Sequence, residues 1–326
     1  MISRNPPPRF ARGRVPNITT ASDPTLARRV LLANLALLVT ATFWGTHIPA
    51  SWYVLQRFTS IEVILGRYCL AAPLLILLLV IETRATNAKP EPKPLLHLWL
   101  LGGVGILGFA LSYTVGLSLA GQIQGSLISA ASPAVGVMVA WALKGARPDG
   151  AMQLALLLAL AGAVVGIAGG HEFGHLTVPG LGEALMIFGN VMWSWYSLAA
   201  QDWLKGWSQI RVAAWSIAMA GVTSFTLGAA LVALGLIRVP PIPGLTDFLV
   251  LIYLVIAPTV LGLLGWNYGV RTLGLSVSSL YLNLVPVTAV LTAILLGDTP
   301  NLWQLAGGLL IVAGIVQAQI RRLRKT

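Results

Sequence analysis

His171-Glu172-Phe173-Gly174-His175 has the H-E-x-x-H spacing of a zinc protease and uses two of the chain's four histidines. That chemistry needs a helix, so that both imidazoles face one metal while the Glu activates water. Here Gly169 and Gly170 precede the motif, Gly174 interrupts it, Pro179-Gly180 follows it, and the nearest third ligand is Glu183. The segment reads as a polar loop, and neither a catalytic residue nor a metal or other cofactor is expected. A membrane-embedded, metal-dependent enzyme using this loop stands as one alternative. The other candidates suit binding. His47 and Arg67 interrupt apolar runs, where an ionisable side chain is costly and marks a functional position by default. Trp44, Tyr113, Trp193, Tyr196, Trp266, Asn267, Tyr281 and Asn283 lie in comparable runs. Rings beside amides suit a substrate with an apolar body and amino, carboxyl or hydroxyl groups. Pro133 and Pro286 are expected mid-helix, as bends that shape and gate the cavity.

These residues need a scaffold, and composition names it. Charged residues are only 10% of the 326, against 56% hydrophobic. A soluble fold could not cover its surface with so few charges. The lone cysteine, Cys69, excludes an intrachain disulfide framework. Crossing a bilayer takes about 20 apolar helical residues, and ten stretches qualify: 30–55, 60–82, 95–119, 122–143, 151–169, 180–203, 210–236, 246–270, 276–296 and 301–320. Counted this way, 18 of the 21 Lys and Arg fall on one side. That side is cytoplasmic by the positive-inside rule, so both termini are expected in the cytoplasm. The charge of +11 thus follows membrane topology, which argues against a nucleic-acid partner. Residues 1–29, rich in Pro and Arg, read as a disordered cytoplasmic tail, and 321–326 as a short basic one.

The chain also repeats itself. FWGTHIPASWYVLQRFTSIEVI lies against MWSWYSLAAQDWLKGWSQIRVA, pairing Trp44 with Trp193, and SLISAASPAVGVMVAWALKG lies against SLYLNLVPVTAVLTAILLGD, pairing Pro133 with Pro286. Tyr113 and Trp266 also align. Five spans is an odd number, so the second half must enter the membrane from the other side. The fold class expected is an all-α integral membrane protein, its ten transmembrane helices forming two five-helix inverted repeats. Residues 30–170 form the first repeat, 171–179 an outer loop, and 180–320 the second. Inverted repeats place a site near mid-membrane, between halves that can alternate in opening.

With Trp44-Gly45-Thr46, Pro49, Arg67, Ser129, Ser132, Pro133 and Gln153, then Ser278-Ser279, Pro286, Gly297-Asp298, Gln304 and Gly307-Gly308, the chain resembles the EamA-type transporters of the drug/metabolite transporter superfamily. It departs from their pattern at Asp298, where Glu is commoner, at Gly145, which leaves the first half without an acidic turn, and at Leu198, where Pro49 has no counterpart. The resemblance implies a secondary transporter that exports amino acids or related metabolites across the cytoplasmic membrane. Spans one, three, six, eight and nine would surround its cavity. No GxxxxGK[ST] loop is present, so ATP is not the direct drive. Proton coupling, simple facilitated exchange, and monomer or homodimer all stay open. A channel or non-transporting membrane protein is a further alternative.

Overall fold

A computed structural model of the chain describes residues 24–87, 91–145, 150, 153–154, 157–158, 161–162, 165, 180–238, 241–273, 278 and 281–323. Among these residues all regular structure is helical. The helices are α1 (Pro24–Leu55), α2 (Ser60–Thr86), α3 (Leu95–Ala120), α4 (Gln122–Lys144), α5 (Leu181–Trp203), α6 (Gln209–Ala233), α7 (Leu245–Leu273), α8 (Leu284–Leu295) and α9 (Leu302–Leu323). Five of them, α1, α2, α3, α6 and α7, are long and apolar enough to cross a bilayer, and a sixth span results if the two halves of α4 count as one. Leu77, Ile81, Val222 and Phe225 are exposed, as residues facing hydrocarbon should be.

Local signals account for most ends. Glu62 Oε2 accepts from the Thr59 N–H at 2.7 Å, closing a capping box on α2. Ser208 Oγ accepts from the Arg211 N–H at 3.2 Å and starts α6. Between α3 and α4 the chain turns on Gly121 alone, whose φ of +87° excludes a side chain. The span edges read from sequence fall within a few residues of these helices, with two differences. α1 begins at Pro24, so Arg28 and Arg29 belong to a helix and not to the tail. In the ninth span, expected over 276–296, Ser278 and Tyr281 are helical, and a turn at Leu282 and Asn283 precedes the helix Leu284–Leu295. Most of the fifth span, the 171–179 loop, residues 1–23 and residues 324–326 lie outside the described residues.

Packing is reciprocal between the two halves. α1 packs on α7 and α8, while α5 packs on α3 and α4; α2 and α6 pack on each other. Close approach depends on glycine. A Cβ on Gly116 would lie 2.4 Å from the Gly182 carbonyl oxygen, and one on Gly182 would lie 2.8 Å from that of Gly116, where α3 crosses α5. A Cβ on Gly45 would lie 1.7 Å from Thr288 Oγ1 and 2.6 Å from the Val285 carbonyl oxygen, where α1 crosses α8. In lipid, helices associate through such contacts because apolar burial alone adds little.

Two helices widen by a π turn: α3 over Leu100–Ile106 and α7 over Val255–Leu261. Pro258 explains the second. It lacks an N–H and its ring excludes the carbonyl four residues back. Thr259 Oγ1 donates to that freed Leu254 carbonyl at 2.8 Å.

Candidate functional site: a cavity between the halves

A cavity of about 160 Å³ lies where these helices converge. α1 presents Trp44, His47 and Ile48, one face at helical spacing, and α2 presents Arg67 and Tyr68. Ile106, Phe109 and Tyr113 come from α3, Ser129 and Ser132 from α4, and Asn190 and Trp193 from α5. Ile217, Pro258, Thr259, Leu263, Leu282 and Val285 complete the wall. Many are repeat partners. Tyr68 and Ile217 stand at the same offset as Trp44 and Trp193, while Ser129 and Ser132 match Leu282 and Val285 at the offset of Pro133 and Pro286.

The aromatic side of the wall is continuous. The Trp44 and Trp193 rings meet edge to face at 6.0 Å and 86°. Phe109 lies 5.3 Å from Trp193 and 5.6 Å from Tyr113. Trp44 Nε1 donates to the Pro258 carbonyl at 3.0 Å, which fixes its ring against the π turn. Each of these contacts lies in the range where edge-to-face and offset rings attract.

The polar side is small. Arg67, 8% exposed, donates from Nη1 to His47 Nε2 at 2.7 Å. A guanidinium only donates, so His47 Nε2 must carry its lone pair and the imidazole is neutral, with the proton on Nδ1. Arg67 Nε and Asn190 Nδ2 are buried without a hydrogen-bond partner. At the positions matching His47 and Arg67 in the second half, Tyr196 and Ser216 form the corresponding pair, the Tyr196 hydroxyl donating to Ser216 Oγ at 3.2 Å. Each half therefore repeats one interhelical contact, but only the first carries charge.

The EamA-like transporter family matches residues 31–167 and matches again over 180–318. The chain belongs to that family. It is a multi-pass membrane protein of the drug/metabolite transporter superfamily, whose members act on small molecules. The uncharacterized transporter YrdR of Bacillus subtilis (strain 168) is 25% identical to this EamA-like protein over 301 residues, which cover 88% of this chain and 91% of that one. A probable terminal-alkyne amino-acid exporter of Streptantibioticus cattleyicolor is 26% identical over 290 residues, with 88% of this chain and 93% of its own covered. A solved crystal structure at 22% identity shares the fold, with a TM-score of 0.61 over 91% of this chain and 99% of that chain.

Of the ten cavity residues expected from sequence, Trp44, His47, Arg67, Tyr113 and Trp193 border the cavity of this EamA-like protein. The other five do not. Tyr196 is turned toward α6 by Ser216, and Trp266 stands behind Trp44 at 5.4 Å. Tyr281 donates to Asn34 Oδ1, and Asn267 and Asn283 are half-buried away from the wall. Sequence reasoning passed over Phe109, Asn190 and Thr259 as wall residues. Asn190 was findable: it lies one helical turn before Trp193 in an apolar helix.

The position of Pro286 also needs correction. Pro286 is the third residue of α8, where no helical N–H is lost. The break precedes it, at Leu282–Asn283, because its ring excludes the Leu282 carbonyl from a continuing helix. Pro133 keeps its expected mid-helix place, within the bend of α4 where Gln122–Ser129 and Ala134–Lys144 meet at 49°. Among the described residues no group of three His, Cys, Asp or Glu could hold a metal, and His171–His175 lie outside them.

Proposed function

We propose that the protein is a secondary transporter that exports small metabolites, amino acids or related compounds, across the cytoplasmic membrane by alternating access. Two five-helix inverted repeats, 30–170 and 180–320, form its halves. The observation that carries this reading is the cavity wall, drawn from repeat-equivalent positions of both halves. The reciprocal packing supports it, since exchanging the halves reproduces the same helix neighbours and so offers two related arrangements. The bend that contains Pro133 and the turn that precedes Pro286 gate the site. An amino-acid substrate is favoured by the relative named as a probable amino-acid exporter.

Purified protein in proteoliposomes tests this with a panel of radiolabelled metabolites. A carrier gives saturable efflux that unlabelled substrate on the far side accelerates. Linear flux would make it a channel, and absence of flux for the whole panel would sink the proposal.

We also propose that both termini face the cytoplasm. In a Cys69→Ser background, cysteines at positions 4 and 325 are expected to resist an impermeant thiol reagent in intact cells, while Thr177→Cys reacts. Labelling of either terminus from outside would overturn both the orientation and the odd-numbered repeat.

A further inference from the structure

The charge in the cavity is one-sided. Arg67 is more than nine-tenths buried, its Nε has no partner, and among the described residues no carboxylate lies within ion-pair distance of it. Its one polar contact, His47, is neutral, so the guanidinium charge is oriented but not balanced. A charge buried without a counter-ion is retained where a ligand supplies one. Among the described residues the cavity wall contains no Asp or Glu. In the second half, Ser216 replaces the guanidinium and Tyr196 the imidazole. A ligand's positive charge therefore meets no carboxylate among the described residues of this wall.

Taking the cavity as the transport site, we infer that it binds carboxylates as a class, and that a positively charged ammonium is not part of what it recognises. The carboxylate sits on Arg67, whose planar fork matches two oxygens. His47 is a positioning residue: by accepting from Nη1 it orients that fork. An apolar body packs on the Trp44 and Trp193 rings. A neutral N–H meets the amide of Asn190 or the hydroxyls of Ser129 and Ser132, which serve an acylated nitrogen as well as an amine. N-acylated and other neutral α-substituted carboxylates are thus substrates alongside amino acids.

Four ligands with one shared ring separate the end groups: phenylalanine, N-acetylphenylalanine, phenylalaninamide and N-acetylphenylalaninamide. Their affinities are measured by titration calorimetry on the protein in nanodiscs. Both carboxylates are expected to bind within about tenfold of each other, and both amides at least about tenfold more weakly. Arg67→Gln should erase the difference between N-acetylphenylalanine and its amide, and Arg67→Lys should keep part of it. The melting temperatures of both variants show that the fold survives, and Arg67→Lys serves if Arg67→Gln does not fold. Amides binding as tightly as the acids, a requirement for the free ammonium, or binding by none of the four overturns the inference. Binding of the carboxylates without flux would instead sink only the transport reading.

Discussion

Trp44→Ala is expected to weaken substrate binding by tenfold to about a hundredfold while the protein still inserts in the membrane. Three losses combine. The ring leaves the cavity wall, its edge-to-face contact with Trp193 disappears, and the Pro258 carbonyl loses its donor. Contact loss and an unpaired polar group together cost roughly 1–3 kcal/mol, which gives that range. Trp44→Phe separates the parts in degree, since it keeps a smaller ring while removing the N–H and part of the indole; a loss of about 1–2 kcal/mol is expected. Trp99→Ala and Trp303→Ala are the controls, because those rings are 42% and 63% exposed, away from the wall. The measurement is substrate affinity and transport rate at matched expression. Equal losses in the controls would show that the cavity is not where the substrate binds.

Gly45→Ala is expected to have the larger effect on the fold. The added methyl would overlap Thr288 Oγ1, which can rotate, and the Val285 carbonyl oxygen, which cannot. α1 and α8 would have to separate, at about 3 kcal/mol or more for overpacking at a backbone contact. Because Trp44 precedes Gly45 and Val285 lines the cavity, transport should fall with stability. Gly66→Ala is the control on α2, since its Cβ would be 3.6 Å from Leu251 Cδ2, an ordinary contact. Thermal unfolding in detergent should show a lower melting temperature for Gly45→Ala and none for Gly66→Ala. The double variant Gly45→Ala, Thr288→Ala should recover only part, because the carbonyl remains. A Gly45→Ala protein as stable as the parent would mean that this helix crossing is wrong.

Glycine shows how far the reading of residues could go. Sequence marks Gly308 as small, and a Cβ there would come within 3.1 Å of Leu127 Cδ2, the end of a flexible side chain. Crossings where a Cβ would meet a neighbour's backbone include Gly45, Gly102, Gly116 and Gly182. Nothing in a helix's own sequence states which neighbour it touches. Composition marks a residue as small; only the partner helix makes smallness necessary.

Membrane embedding, helical structure, the span edges and the pairing of Trp44 with Trp193 follow from the sequence by itself. The physical reason is that hydropathy over about 20 residues, proline position and self-similarity are properties of one dimension. The inward face of each helix is different. In water, polar residues mark the outside of a helix and periodicity reveals the core. In lipid both faces are apolar, so that signal is weak. Tyr196, Trp266 and Asn267 then read the same as Trp193 and Phe109, although packing turns the first three away from the cavity. The meeting of His47 with Arg67, the Tyr196–Ser216 contact that answers it, and the π turn held by Trp44 are decided by tertiary structure alone. Each depends on the angle and depth at which two helices cross, which no local pattern records.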